Sequence, residues 1–190
     1  MDAEAFIVRA NAYLIERECD YAIEDYSRAI RLDSNSALAF HNRGFAYQQK
    51  GEYDKAILDY DQAIKLDSND ANSALNSRAN VFILRGDAYA EKGEYERAIG
   101  DYNQAIRLDT DDLIAAHCNA PALHGRGVAY TWLGEYDRAI RDFDHAIAIE
   151  PTLSDAFFSR GIAHLKSKQY IATVLTHSFV SRLRPCKSYI

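Results

Sequence analysis

The chain has 190 residues, 22 of them basic and 28 acidic, which gives a formal net charge of −6. This balance argues against direct binding to DNA or RNA, because nucleic-acid affinity depends on an excess of positive charge facing the phosphates. No apolar run approaches the ~20 residues that span a bilayer, and the three cysteines show no paired spacing, so we expect a cytoplasmic protein without membrane insertion.

The first predicted repeat spans residues 3–36. Asp2 can cap its first helix, and Phe6, Ala10 and Tyr13 follow at three- and four-residue steps, which places them on one face. Charged residues interrupt the apolar ones at helical spacing, so this segment is predicted to be a helix and not a secretory signal. The turn carries Arg17 where the next copy has glycine. A non-glycine residue there costs about 1 kcal/mol, which a terminal repeat can tolerate.

The second predicted repeat, residues 37–70, is the most regular copy. Asn35 or Ser36 can cap its first helix, and residues 50–53, with a central glycine, predict the turn. The face of the second helix that turns back toward the first combines small residues with one tyrosine: Ala56, Tyr60 and Ala63. We expect the alanines to let the two helices approach closely and the tyrosine to fill the remaining space.

The period slips twice in the middle of the chain. The third repeat spans residues 79–112 and the fourth 120–153, which leaves inserts at 71–78 and 113–119. Each insert is close to two turns of α-helix, so the orientation of later residues is preserved. The first insert predicts a longer helix, because its apolar residues continue the stripe of the third repeat. For the second, Pro121 leaves open a separate turn or a kinked extension.

The fifth repeat, residues 154–187, follows Pro151 as a stop and Ser154 as a cap. It keeps the aromatic and small residues of its first helix but has Lys168 in place of the turn glycine, and its second helix is degenerate. We interpret this last segment as a capping helix that covers the final apolar face.

A repeat unit of 34 residues is typical of stacked helix-turn-helix units. The same small and aromatic residues recur in the copies on either side of the inserts: Gly44, Ala46 and Tyr47, then Gly86, Ala88 and Tyr89, then Gly127, Ala129 and Tyr130. The chain resembles the tetratricopeptide repeat (TPR) family over roughly residues 3–187. The resemblance implies an all-α, right-handed superhelical solenoid of five repeats that forms one domain over 1–190. It also implies a non-enzymatic scaffold or adaptor that binds a protein or peptide, without cofactor or metal.

The resemblance further implies a concave groove lined by the first helices of successive repeats. The residues carried over onto this groove by position are Asn11, His41, Phe45, Gln48, Ile83, Asp87, His124, Val128, Trp132 and Phe158. Its aromatic members are the kind of side chain that dominates interface energy. Several of these residues could instead cover neighbouring helices.

An arginine recurs at one place in every repeat and an aspartate at one place in four of them. The pattern predicts ion pairs that tie the two helices of each repeat together through bidentate bonds. The predicted pairs are Arg9 with Asp25, Arg43 with Asp59, Arg85 with Asp101 and Arg126 with Asp142. The alternative is a ladder of free arginines that binds an acidic ligand, whereas partnered arginines have no charge to offer.

Two further hypotheses compete with a general groove. One TPR subclass grips the acidic C-terminus of heat-shock chaperones, and Asn11 and Asn42 match its asparagines, but Ile7, Asn80 and Leu84 stand where its cations should be. Without cations a pair of carboxylates is poorly balanced, so this is a minor alternative.

The second hypothesis is self-assembly, because Leu75, Leu113 and Ile114 are apolar residues in the inserts with no obvious place in the regular core. An enzyme is not predicted. The histidines and cysteines match no closed metal pattern, and no nucleophile stands beside a base and an orienting acid.

Overall fold

The computed structural model describes residues 2–67, 75–108 and 116–182, and these ranges contain helices without any strand. The helices are α1 Ala3–Ile15, α2 Cys19–Leu32, α3 Ala37–Gln49, α4 Tyr53–Asp67, α5 Leu75–Glu91, α6 Tyr95–Leu108, α7 Ala116–Trp132, α8 Tyr136–Ile149 and α9 Ser154–Arg182. The predicted all-α repeat architecture is confirmed. None of the helices in these ranges combines the length and the apolar character needed to cross a membrane.

The turn between the two helices of each repeat depends on one residue with positive φ. Gly51, Gly93 and Gly134 have φ of 74°, 77° and 79°, and Arg17 adopts the same region at 62°. This conformation lets the next amide donate back to the carbonyl five residues earlier, as in the bond from Glu52 to Tyr47 at 2.9 Å. Arg17 therefore forms the predicted turn despite its side chain.

In the second, third and fourth repeats the two helices cross where the first has a glycine and the second an aromatic ring. A Cβ added to Gly44 would lie 2.9 Å from a ring carbon of Tyr60, and one added to Gly127 would lie 2.7 Å from a ring carbon of Phe143. Gly86 has the same relation to Tyr102, at 2.9 Å. The core is thus a stripe of alanines and rings that runs along the stack, as the sequence predicted.

Stacking of the repeats makes the array curved. Each first helix contacts the first helix of the next repeat, from α1 with α3 to α7 with α9, while the second helices α2, α4, α6 and α8 contact no other second helix within the described residues. The first helices therefore lie closer together, on the inside of the curve. The groove is defined here as this inner side of α1, α3, α5, α7 and residues 154–168 of α9.

Both inserts lengthen a first helix at its start. α5 begins at Leu75 and α7 at Ala116, each about one helical turn ahead of its repeat. In α7 the helix runs through Pro121, so a helical extension is found where a separate turn was the other possibility. The rest of both predicted inserts, residues 71–74 and 113–115, lies outside the described residues.

The fifth repeat differs from the prediction of a helix pair. α9 is one continuous helix of 29 residues, and it passes through Lys168 without a turn. The other repeats place a residue with positive φ at this point, whereas a lysine is a good helix former and continues the helix. Among the described side chains no ring covers Gly161, where an added Cβ would meet open space. In the part of the chain that the structure describes, the array consists of four helix pairs and one long helix.

Candidate binding groove

The residues predicted for the groove lie on α1, α3, α5, α7 and α9 and differ widely in exposure. Trp132 and Phe158 are 61% and 72% exposed. Asn11 is also exposed, whereas His41, Phe45, Gln48, Asp87, His124 and Val128 are partly buried. Ile83 is only 8% exposed and packs in the core with Phe82 and Tyr102, so it presents little surface to a ligand.

Three core tyrosines reach through the array and hold polar side chains of the groove from behind. The hydroxyl of Tyr26 donates to Oδ1 of Asn11 at 2.6 Å, and that of Tyr60 donates to Oε1 of Gln48 at 2.7 Å. The sequence analysis did not predict these bonds, although the sequence contains a pattern that could have indicated them. The tyrosines recur at one place in the second helix, and a polar residue of the first helix stands opposite each of them.

The third bond of this kind involves a carboxylate. The hydroxyl of Tyr102 donates to Oδ1 of Asp87 at 2.6 Å. Burial raises the pKa of Asp87 to about 6, which the bond from Tyr102 opposes and the nearby charge of Glu91 reinforces. Asp87 and Glu91 make the third repeat the acidic part of the groove at neutral pH.

The fourth repeat lacks such a bond, because Phe143 stands where the first three repeats have tyrosine. Val128 takes the groove place that Asn11 and Asp87 hold in their repeats. A pocket of about 160 Å³ opens at this point, called here the fourth-repeat pocket. Its lining residues are Val128, Thr131, Trp132, Phe143, Ser159, Ile162 and Lys166.

The polar groups around the pocket are bonded within the protein. The hydroxyl of Thr131 donates to the carbonyl of Gly127 at 2.9 Å, and Ser159 Oγ shares a hydrogen bond of 3.1 Å with His124 Nε2. Burial lowers the pKa of His124, so its imidazole is neutral at pH 7 and adds no positive charge. The surface offered to a ligand is therefore mainly apolar.

An aromatic ring and a cation form the rim of the pocket. The ring of Trp132 stacks on that of Tyr95, with centroids 5.9 Å apart and planes 1° from parallel, and Lys166 Nζ lies 4.7 Å from the centre of the Trp132 ring. Stacking from one side and a cation on the other fix the indole in place while most of it stays exposed.

The structure brings together every predicted arginine and aspartate. Nε and Nη2 of Arg43 donate to the two carboxylate oxygens of Asp59, both at 2.7 Å. The same two-bond geometry joins Arg9 with Asp25, Arg85 with Asp101 and Arg126 with Asp142. In the first pair, the bond from Arg9 lowers the pKa of Asp25.

A third bond of these arginines was not predicted. The remaining Nη1 donates to a side chain in the second helix of the preceding repeat, for example from Arg85 to Asp61 at 2.5 Å. The other bonds of this kind run from Arg43 to Ser27 at 3.1 Å, from Arg126 to Asn103 at 2.6 Å and from Arg160 to Asp144 at 2.6 Å. These arginines use their donors within the array, and they connect each repeat to the one before it.

Two family models match the chain in alternating windows. The model described as "Tetratricopeptide repeat" matches residues 37–70 and 120–153, and the model described as "TPR repeat" matches residues 10–51 and 86–126. The chain belongs to the tetratricopeptide repeat family. No curated protein matches the TPR chain at the sequence level.

Solved TPR structures share the fold. MamA is 21% identical with a TM-score of 0.71, and the match covers 98% of both chains. YrrB, described as a TPR protein with an unusual peptide-binding site, is 23% identical with a TM-score of 0.66 over 88% of this chain and 78% of its own. The second TPR domain of human RPAP3, solved with the HSP70 peptide SGPTIEEVD, is 28% identical with a TM-score of 0.56 over 67% and 94% of the two chains.

Two other groups of predicted residues are the asparagines of the chaperone-binding pattern and the apolar residues of the inserts. The two asparagines that match the chaperone-binding TPR subclass contact each other, since Asn42 Nδ2 donates to Asn11 Oδ1 at 3.2 Å. For the self-assembly hypothesis, Leu113 and Ile114 lie outside the described residues, and Leu75 is described only as the first residue of α5. Within the described ranges, no three His, Cys, Asp or Glu side chains meet in a way that could hold a metal ion.

Proposed function

We propose that this TPR chain is a non-enzymatic interaction module that holds an extended peptide, or a helix of a partner protein, along its groove. The observation that carries the proposal is the exposed apolar surface of the groove. Exposed large apolar side chains occur on the first helices at both ends of the array: Ile15, Leu38, Trp132, Phe158 and Leu165. Exposed apolar patches mark binding surfaces, and their aromatic members supply most of the energy.

The groove is also organised in advance, which favours binding. Tyrosine hydroxyls fix Asn11, Gln48 and Asp87 from behind, and Trp132 is held between Tyr95 and Lys166. Side chains that are already ordered lose less conformational entropy when a ligand arrives. The complex of the human RPAP3 domain with an HSP70 peptide supports the peptide class of ligand. A tail of that acidic type remains a minor alternative here, because Ile7 and Leu84 offer no charge to its carboxylates.

A random peptide library displayed on phage and selected against the full chain tests the proposal. Selected peptides should lose affinity about tenfold or more on Trp132→Ala, since a central aromatic anchor is removed. The matched control is Leu58→Ala, because Leu58 is as exposed as Trp132 but lies on α4, a second helix. Failure to select any peptide, or equal losses in the two variants, would contradict the proposal.

Self-assembly is the second candidate function, and one observation favours it. On α9, Phe157 is half exposed and Gly161 meets open space, because within the described residues no second helix follows α9 and folds back over this face. A second copy of the chain could cover it. Light scattering over a range of concentrations should then show a dimer that Phe157→Asp converts to monomer. A wild-type chain that stays monomeric throughout would exclude this candidate.

A further inference from the structure

We propose that the fourth-repeat pocket takes a branched aliphatic side chain of the bound peptide, and that Lys166 pairs with a carboxylate one or two residues away from it. This inference rests on the proposed peptide-binding function and specifies the ligand. It would make the groove selective for an apolar residue beside an acidic one.

The pocket exists because one repeat departs from the pattern of the others. In the third repeat the hydroxyl of Tyr102 donates to the carboxylate of Asp87 at 2.6 Å. In the fourth repeat Phe143 and Val128 stand at these two places, so both polar groups are missing. The loss of a hydroxyl and a carboxylate turns a filled polar contact into an open apolar one.

The size of the pocket fits a single side chain. Its volume is about 160 Å³, and a cavity of roughly 150 Å³ lined by aliphatic and aromatic residues accepts a benzene-sized group. A leucine, isoleucine or valine side chain is in this range. Burying such a side chain tightens binding by about tenfold or more, which is enough to make it the anchor of a peptide.

The chemistry of the lining favours an apolar occupant. Thr131 and Ser159 already have hydrogen-bond partners inside the protein, Val128, Phe143 and Ile162 offer none, and the cation of the lining, Lys166, lies at the rim. A polar side chain placed against the apolar residues would lose bonds to water and regain few of them, which weakens binding. An aliphatic side chain has no such cost.

The neighbouring carboxylate follows from the charge at the rim. Two lysines at the turns of earlier repeats are paired, Lys50 with Asp20 and Lys92 with Asp54, both at 2.6 Å. Within the described residues Lys166 has no carboxylate within 4 Å, and its contact is the face of Trp132. Its ammonium group is therefore available to a ligand. The third repeat carries Asp87 and Glu91, so a ligand carboxylate is favoured near Lys166 and disfavoured near α5.

The test uses the full chain and the same displayed library of random peptides. Selected peptides should share an aliphatic residue with Asp or Glu within two positions. The variant Val128→Asp/Phe143→Tyr copies the arrangement of the third repeat, so it should fold like the wild type while the pocket is filled. Fluorescence anisotropy should show a loss of affinity of about tenfold or more for this variant. Replacing the aliphatic residue of the peptide by serine should weaken binding to the wild type but not further weaken binding to the variant.

The charge is tested separately by Lys166→Glu. Peptides with Asp or Glu should bind this variant about tenfold less tightly, and the same peptides with lysine at that position should regain affinity. If peptides are selected and depend on Trp132 but are indifferent to both pocket variants, this inference is wrong and the proposed function stands. If no peptide is selected at all, both are wrong. A selected consensus without an aliphatic residue also overturns the inference.

Discussion

Arg85 lies where the second and third repeats meet, and its guanidinium donates hydrogen bonds to both. Nε and Nη2 bond the carboxylate of Asp101 at 2.7 and 2.6 Å, and Nη1 bonds Asp61 at 2.5 Å. The side chain of Asp101 is only 8% exposed. The substitution Arg85→Met therefore leaves a buried carboxylate without its cation and removes a bond between repeats.

The expected loss of stability can be worked from these contacts. Removing one partner of a buried ion pair costs about 3–5 kcal/mol. The guanidinium also lies 5.4 Å from the centre of the Phe82 ring, a contact worth about 0.5–1 kcal/mol. We expect a total of about 3.5–6 kcal/mol. For a protein of this size, each kcal/mol shifts Tm by about 2–4 °C, so the Tm of Arg85→Met should fall by roughly 7–24 °C.

Thermal unfolding followed by circular dichroism measures this change. The matched control is Arg97→Met, because Arg97 is 66% exposed and its ion pair with Glu94 and its ring contact with Tyr89 lie within one repeat. This variant should leave Tm nearly unchanged. The double variant Arg85→Met/Asp101→Leu should recover most of the loss, since a buried ion pair can be replaced by apolar groups at little cost. A wild-type Tm for Arg85→Met combined with weaker peptide binding would refute the reasoning and favour a basic ladder.

Two other predictions follow from the packing and from the groove. Gly127→Ala should lower the free energy of unfolding by about 1–3 kcal/mol, because the added Cβ would lie 2.7 Å from the ring of Phe143. Gly161→Ala, where the Cβ meets open space, should raise it by about 0.5–1 kcal/mol. Urea titrations measure both changes, and equal effects would contradict the close crossing. Asp87 has a folded pKa of about 6 against ~3.9 unfolded, so the folded state holds its proton more tightly and stability falls as pH rises from 4 to 6. Asp87→Asn keeps the oxygen that accepts from Tyr102. This variant should therefore be about 2–3 kcal/mol more stable than the wild type at pH 7 and no more stable below pH 4. A stability difference that is constant at all pH values would contradict the raised pKa of Asp87.

Much of the fold could be predicted because the information is local and repeated. The crossing at Gly44 and the turn at Gly51 depend on residues close in sequence, and each pattern recurs in later repeats. Arg43 and Asp59 could be matched for the same reason, since their separation of 16 residues returns in four repeats. Repetition converted a contact between helices into a visible sequence pattern.

Other features could not be predicted from the sequence, because residues of different chemical types have the same structural role. The acceptors for the third arginine bond are Ser27, Asp61, Asn103 and Asp144, which share no single residue type. The change from tyrosine to Phe143 looks conservative in sequence, and only the placement of the ring shows that it opens a pocket. Whether α9 continues through Lys168 or turns back depends on the packing of its C-terminal half against other helices. Local helix propensity does not determine this packing.

The central claim is that the groove, and not the outer surface, holds a polypeptide. Trp132 is the chain's single tryptophan, so its emission reports on the groove, and the variant Trp132→Phe/Leu58→Trp moves this reporter to α4 on the outer side. Titration with a peptide selected from the displayed library should shift the emission of the wild type and leave that of the moved reporter unchanged. A shift at the outer position with none at Trp132 would contradict the account.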